Sequence, residues 1–134
     1  MSRSTEIVQR FYEATQAGDG AGILAVLHPA FEARTAPGLP CGAGGSFHGP
    51  REAMAGIWGP INAAFATAPY AERWHEAADG TVVVAGTYRG VARSTGRAYE
   101  AEFVHLWEVA DGRISRLHQY TDTARWHEAL APAA

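Results

Sequence analysis

The chain of 134 residues has the length of one ordinary domain, and its hydrophobic share of 47% is enough for a single core. Its net charge is −3 and no basic run is visible, so the electrostatic signature of a nucleic-acid-binding protein is missing. The charged N-terminal stretch lacks the apolar segment of a signal peptide, and no apolar run approaches the length of a membrane span. We therefore expect one soluble, cytoplasmic domain over residues 1–134 that binds neither nucleic acid nor membranes.

Cysteine, lysine and histidine usage narrows the chemistry further. The single cysteine, Cys41, permits no internal disulfide, which agrees with a reducing compartment. Every basic residue is an arginine, and the absence of lysine excludes Schiff-base catalysis and a phosphate-loop lysine. The histidines show no metal-ligand spacing, such as two histidines one helical turn apart beside a glutamate, so we expect no metal site.

The N-terminal half of the chain predicts helices around one strand. Val8, Phe11, Tyr12 and Thr15 form a stripe at helical spacing, and Gly18 follows as a stop signal. The predicted elements are a helix over 4–17, a helix over 22–27, a strand over 30–36, an irregular loop over 37–49, a helix over 51–58 and its continuation over 61–66.

The pattern changes from helices to strands along the chain. Pro50 suits the first position of the third helix, whereas Gly59 and Pro60 are expected to kink it. The predicted strands cover 70–77, 81–93, 97–109 and 113–121, and a short helix over 123–130 follows. Helices followed by an antiparallel meander indicate an α+β fold, in which a curved antiparallel sheet wraps around the N-terminal helices as a cone with a cavity.

The turns between these strands predict a register. The segments 78–80, 94–96 and 110–112 each end in glycine and fit three-residue hairpin loops whose last residue is left-handed. The expected neighbours on one face are His105 with Leu117 and Ala85, Phe103 with Gln119 and Thr87, and Ala101 with Thr121 and Arg89. The alternative is a two-residue Asp-Gly turn, which would instead bring to that face His118, Tyr120 and Asp122.

The segment EFVHLWEV places an aromatic and histidine row on one face of a strand. Phe103, His105 and Trp107 alternate with charged or aliphatic residues, and burying the flanking glutamates without partners would cost several kcal/mol each. The aromatic row is therefore expected to face the cavity. Val104 and Leu106 then lie on the outer face, where a partner subunit would explain them.

Three segments of the chain form a recognisable set: QAGD, PGLPCGAGGSFHGPREAM and GRAYEAEFVHLWEVADGRISRLHQYTDT. Together they resemble the nuclear transport factor two-like superfamily, and within it the SnoaL-like polyketide cyclases. The resemblance extends over nearly the whole chain. It implies a cone-shaped, cystatin-like α+β fold, a homodimer through the outer sheet face, and a pocket for a small apolar or polyketide-like molecule. The activities that it implies are cyclisation, isomerisation, epoxide hydrolysis and dehydration, with no cofactor expected.

The chain departs from two branches that the resemblance includes. The limonene epoxide hydrolase branch carries an arginine, an aspartate two residues on, and an aspartate on the last strand. The matching positions look like Arg89, Val91 and Gln119, so only the arginine is retained and epoxide hydrolysis by that triad is not expected. The cyclase branch relies on an aspartate near Gln119, a role that only Asp122 could have taken here.

The steroid isomerase branch of the resemblance also lacks its working residues here. That branch uses a tyrosine on its first helix, an aspartate after its first strand and a protonated aspartate on the sheet. The matching positions look like Phe11, then Ala36 or Thr35, and then Val104 or a neighbour. The steroid isomerase mechanism is therefore not expected either.

Among the candidate residues, His105 is the titratable group predicted to lie in the cavity, where it could take and return a proton near neutral pH. Arg89 could hold a carboxylate or a developing enolate, and Gln119 could orient a ligand carbonyl or a water. Asp122 is the remaining catalytic candidate. The structural alternatives are a core histidine, a solvated arginine and a satisfied amide. Predicted pocket walls, for which core packing is the alternative, are Phe11, Tyr12, Thr35, Trp58, Phe65, Phe103 and Trp107.

The sequence thus predicts a small-molecule enzyme of the SnoaL-like type that acts on an apolar, oxygenated, polyketide- or terpenoid-like substrate. We expect a cyclase, isomerase or dehydratase (a lyase) that works by proton transfer, as in bacterial secondary metabolism and antibiotic biosynthesis. A ligand-binding or accessory protein without catalysis is the alternative, because the carboxylates usual in this family are missing and a fold does not imply a function.

Overall fold

A computed structural model describes residues 2–132 of the chain. Its elements, in chain order, are α1 (Arg3–Gln16), α2 (Gly20–Ala25), β1 (Leu27–Thr35), β2 (Gly45–His48), α3 (Pro50–Ala53), a π-helical turn (Met54–Trp58), α4 (Gly59–Ala64), β3 (Phe65–Glu76), β4 (Val82–Ala92), β5 (Ala98–Ala110), β6 (Arg113–Thr121) and α5 (Thr123–Leu130).

Side-chain caps set where the first two helices begin. The Ser2 hydroxyl accepts a hydrogen bond from the backbone N–H of Thr5 at 3.1 Å and so opens α1. Asp19 caps α2 through the backbone N–H of Gly22 at 2.9 Å, so this helix begins two residues before the predicted start. The apolar side of α1 is buried against the strands β3 to β6 and holds the helix on the sheet.

The sheet has six strands in the order β2-β1-β6-β5-β4-β3, and it is curved and unclosed. The α+β fold with a meander from β3 to β6 is confirmed, but the irregular loop predicted over 37–49 contains β2, which pairs antiparallel with β1. β1 begins at Leu27, three residues before its predicted start, and pairs parallel with β6. The short β2 covers the edge of β1, whose backbone groups would otherwise stay unpaired.

A π-helical turn replaces the predicted kink between α3 and α4. The Gly59 N–H bonds to the Met54 carbonyl, five residues back, because the following Pro60 has no N–H and disturbs the regular ladder. Phe65 already lies in β3, so the helix ends earlier and the strand begins earlier than predicted. Pro69 is tolerated inside β3 because this is an edge strand, where a missing donor costs little.

The β3–β4 hairpin has the predicted three-residue loop, 78–80, closed by the Ala77 N–H on the Thr81 carbonyl at 2.8 Å. The predicted loop between β4 and β5 was wrong. It has four residues, 93–96, because Ala92 and Arg97 form the closing pair, with the Ala92 N–H 2.9 Å from the Arg97 carbonyl. His105 therefore pairs with Val84 instead of Ala85, and every β4 side chain lies on the opposite face from the one predicted.

The β5–β6 turn is the two-residue alternative, formed by Asp111 and Gly112 with φ of 54° and 73°. A bulge between Glu108 and Val109 then shifts the register once more, so that His105 pairs with Gln119. The two-residue turn and the bulge each shift the predicted pairing by one residue. Together they return the β6 side chains to the faces on which they were predicted.

The β6 residues that were predicted to face inward do so, but the β5 residues that were predicted to pair with them were wrong. Gln119 is buried beside the cavity, and Thr121 pairs with Phe103, whereas His118 and Tyr120 lie on the other face. The expected pairs of His105 with Leu117 and of Phe103 with Gln119 were wrong by two positions.

The aromatic row of β5 faces the interior, as expected. Phe103, His105 and Trp107 are 3%, 1% and 0% exposed, whereas the flanking glutamates are exposed to solvent. On the outer face Val104 is 37% exposed. The alternation of charge along this strand thus decided correctly which face is buried.

Candidate active site

A cavity of about 180 Å³ lies between α1, α2, the helical segment 54–62 and the inner face of the sheet. Its walls are mainly apolar: Phe11, Ile23, Leu39, Met54, Ile57, Trp58, Ile61, Pro69, Leu117 and Trp126. Its polar side chains are Thr15, Thr35, Asn62, Thr67, Tyr88, His105 and Gln119. Among the lining residues within 2–132, none carries a carboxylate. The site therefore resembles other small-molecule pockets, in which apolar walls surround a few polar groups.

His105 is held between two tyrosine hydroxyls. Its Nδ1 lies 2.7 Å from the Tyr12 hydroxyl and its Nε2 lies 2.9 Å from the Tyr88 hydroxyl. Phe103 stacks on the imidazole with ring centroids 4.1 Å apart. Both ring nitrogens are therefore engaged, and the plane of the ring is fixed by packing.

A hydrogen-bond donor lies at each end of the arrangement formed by Tyr12, His105 and Tyr88. The Trp107 indole N–H donates to the Tyr12 hydroxyl oxygen at 2.9 Å, and the Gln119 amide donates to the Tyr88 hydroxyl oxygen at 2.6 Å. The five side chains form one continuous hydrogen-bonded chain from β5 through α1 and β4 to β6. We call it the tyrosine–histidine chain: Trp107, Tyr12, His105, Tyr88 and Gln119.

Burial disfavours the charged forms of the three titratable members of the tyrosine–histidine chain, which are Tyr12, His105 and Tyr88. It lowers the pKa of His105 from 6.5 to about 3, so the imidazole is neutral. It also raises the pKa of Tyr12 and of Tyr88 well above the ordinary value of tyrosine. The Tyr88 hydroxyl therefore keeps its proton at neutral pH and can donate it in a hydrogen bond, whereas the His105 imidazole is a weak base.

Five of the predicted site residues line the cavity: Phe11, Thr35, Trp58, His105 and Gln119. The Thr35 hydroxyl donates to the Ala43 carbonyl, so it holds the neighbouring loop while its side chain contributes to the wall. Three further predicted residues, Tyr12, Phe103 and Trp107, are buried behind the lining and support it. Phe65 packs elsewhere in the core, against Tyr99 and Trp126.

Arg89 does not line the cavity, and its predicted position was wrong. It lies opposite Glu100 on the outer side of the sheet, where its guanidinium pairs with Glu100 and lies 3.5 Å from Glu72. The extra residue in the 93–96 loop moved it there, because successive side chains of a strand point to opposite faces. Asp122 is also exposed, with its carboxylate 3.9 Å from the Arg125 guanidinium. Asp122, Arg89 and Glu100 line one polar groove on the protein surface, which we call the outer groove.

Tyr88 is the cavity residue bonded to His105 through its hydroxyl that the sequence reasoning missed. It occupies the inner face of β4 because the hairpin loop has four residues, and it takes the position assigned to its neighbour Arg89. A register built on a four-residue loop places Tyr88 on the inner face of β4. That register is also favoured energetically, because burying a tyrosine costs far less free energy than burying an unpaired arginine. Trp126 on α5, which also lines the cavity, carried only the ordinary signal of a core aromatic.

The described part of the chain offers neither a cluster of metal ligands nor a membrane-spanning helix. Within residues 2–132, no three histidine, cysteine, aspartate or glutamate side chains lie close enough together to hold a metal ion. No helix among the described residues is both long and apolar enough to cross a membrane.

Comparison with solved structures finds close likenesses over the whole fold. An NTF2-like protein from Burkholderia thailandensis E264 is 29% identical, with a TM-score of 0.86 over 98% of this chain and 100% of that chain. An NTF2-like protein of unknown function from Burkholderia pseudomallei K96243 is 30% identical, with a TM-score of 0.87 over 98% of this chain and 99% of that one.

A third solved structure is TerC co-crystallised with polyporic acid. It is 26% identical, with a TM-score of 0.86 over 96% of this chain and 98% of that one.

No curated protein matches the chain. The model of the SnoaL-like domain matches residues 8–117, which include most of α1, most of the cavity lining and most of the sheet. The chain therefore belongs to the family of SnoaL-like domains and has the nuclear transport factor two-like fold that its sequence resembles.

Proposed function

We propose that the chain binds a mainly apolar, carbonyl-bearing small molecule in this cavity and promotes its cyclisation, isomerisation or dehydration without a cofactor. One observation carries the proposal: the apolar cavity has a polar edge where Tyr88, His105 and Gln119 meet. Such a site binds a hydrocarbon skeleton and orients it by one oxygen. The relative co-crystallised with polyporic acid supports an oxygenated ligand of this kind.

The proposed chemistry is polarisation of the ligand carbonyl. A neutral hydrogen-bond donor in a preorganised, mainly apolar site stabilises the negative charge that develops on oxygen during enolisation. A lone histidine base is less well supported than the sequence suggested, because both nitrogens of His105 bond to tyrosines and its pKa is about 3. We assign His105 to positioning Tyr88, and water accepts the carbon-bound proton.

The cavity is smaller than the roughly 300–1,000 Å³ of sites for drug-sized ligands, so a compact bicyclic ketone is a suitable probe. 2-Tetralone has a comparatively acidic proton between its aromatic ring and its carbonyl. Its binding can be followed by the fluorescence of Trp58 and Trp126, which line the cavity. Its enolisation can be followed by NMR as exchange of that proton in D₂O.

The expected result is saturable binding together with exchange faster than in buffer. Tyr88→Phe should abolish the acceleration, and Arg89→Met should keep it, because Arg89 lies outside the cavity. Failure of 2-tetralone to bind would contradict the proposed site.

The second candidate function is binding without catalysis. It is favoured by the lack of a carboxylate among the lining residues that the structure describes. Saturable binding of 2-tetralone without accelerated exchange would support this candidate over an enzyme.

A further inference from the structure

The outer ends of the tyrosine–histidine chain determine the direction of its hydrogen bonds. The indole N–H of Trp107 can only donate, so the Tyr12 oxygen is an acceptor there. The backbone N–H of Ala36 can also only donate, and it lies 3.4 Å from the Gln119 Oε1. The amide oxygen of Gln119 therefore faces Ala36, and its NH₂ group donates to the Tyr88 oxygen.

The proton of Tyr12 then decides the tautomer of His105. Among the residues that the structure describes, the acceptor bonded to this hydroxyl is His105 Nδ1, at 2.7 Å. Tyr12 is 4% exposed and does not line the cavity, so the opposite tautomer would leave a buried hydroxyl proton without an acceptor. Nδ1 must therefore be unprotonated, and the neutral imidazole carries its proton on Nε2.

Tyr88 consequently receives two hydrogen bonds and still has its own proton to give. Its oxygen accepts from His105 Nε2–H at 2.9 Å and from the Gln119 amide at 2.6 Å. Neither partner can accept in return, because both present N–H groups to it. The tyrosine lines the cavity, and a hydroxyl that accepts two hydrogen bonds becomes a stronger donor.

We infer that the Tyr88 hydroxyl is the ligand-recognition group of this cavity, and that it selects ligands with an acceptor oxygen, such as a carbonyl or an oxyanion. The inference rests on the proposed function, since it assigns one atom of that site to the ligand. The chain of donors runs in one direction, from Trp107 through Tyr12 and His105 to Tyr88, and ends on the ligand. His105 is then a positioning residue that holds Tyr88 in its donating orientation.

The first test measures the tautomer and needs no ligand. In ¹⁵N-labelled protein at pH 7, a long-range ¹H–¹⁵N spectrum distinguishes a protonated from an unprotonated imidazole nitrogen. We expect His105 to show a protonated Nε2 and an unprotonated Nδ1, whereas the exposed His75 serves as an internal reference. A protonated Nδ1 would overturn the inference, because Tyr88 would then have to donate to His105 instead of the ligand.

The second test compares two ligands of nearly equal shape, 2-tetralone and tetralin, which lacks the oxygen. One neutral hydrogen bond predicts that the wild type binds the ketone about 5–10-fold more tightly than hydrophobicity alone would give. Tyr88→Phe should remove this preference and leave the affinity for tetralin unchanged. Arg89→Met is the matched control and should retain the preference.

The outcomes separate this inference from the proposed function. A wild-type ratio of ketone to tetralin affinity no higher than hydrophobicity alone gives, or an unchanged ratio in Tyr88→Phe, would overturn the inference and leave the cavity as a binding site. Binding of neither ligand would overturn the proposed function and the inference with it. The ligand comparison in the wild type and the tautomer measurement both apply even if Tyr88→Phe does not fold.

Discussion

His105 makes the folded protein sensitive to acid. The side chain is 1% exposed, and burial lowers its pKa from 6.5 to about 3. Between these two values the unfolded chain binds a proton that the folded protein excludes, so the free energy of unfolding falls as the pH falls. The contribution is fully present above pH 6.5. Linkage with these pKa values gives a loss of about 2.5 kcal/mol between pH 7 and pH 4.5.

Urea unfolding at pH 7, 5.5 and 4.5 measures this loss in the wild type, in His105→Gln and in His75→Gln. Glutamine does not titrate, so the decline between pH 7 and pH 4.5 should be about 2.5 kcal/mol smaller in His105→Gln than in the wild type. His75 is exposed, and its substitution should leave the decline unchanged. Equal declines in the wild type and in His105→Gln would refute the argument that a neutral imidazole is buried here.

Three further predictions concern the surface, the sheet and the groove. We propose that a second copy covers the outer face of β5, so Leu106→Arg should give a folded monomer or an insoluble chain; an unchanged dimer mass, or a monomeric wild type, by light scattering would contradict this. Gly86→Ala should lower the free energy of unfolding by about 1–3 kcal/mol, because a Cβ there would clash with the Tyr70 carbonyl, whereas Gly20→Ala should not destabilise in the same urea titration. Arg89→Met should keep the wild-type affinity for 2-tetralone in fluorescence titrations, and a large loss would show that the outer groove takes part in binding.

The sequence alone was sufficient for the fold class and for the buried face of β5. Glu102 and Glu108 cannot be buried without partners, so the alternation along this strand had one acceptable orientation, and His105 was identified from it. The meander and the first helix followed from equally local patterns. These features depend on residues that are neighbours along the chain, and local patterns record them directly.

The partners of His105 were decided by the tertiary structure. Whether Arg89 or Tyr88 meets the cavity depends on one residue in the 93–96 loop, and glycine suits loops of several lengths. A bulge at Glu108 and Val109, which no local pattern announces, then set the position of Gln119.

The hydrogen bond between Tyr12 on α1 and His105 on β5 also joins residues that are far apart in the chain. On β5 the sequence by itself determined which groups are buried, because the cost of burying each flanking glutamate acts on that residue alone. The tertiary structure decided which buried groups meet, because strand side chains alternate and a single added residue exchanges the two faces of a strand.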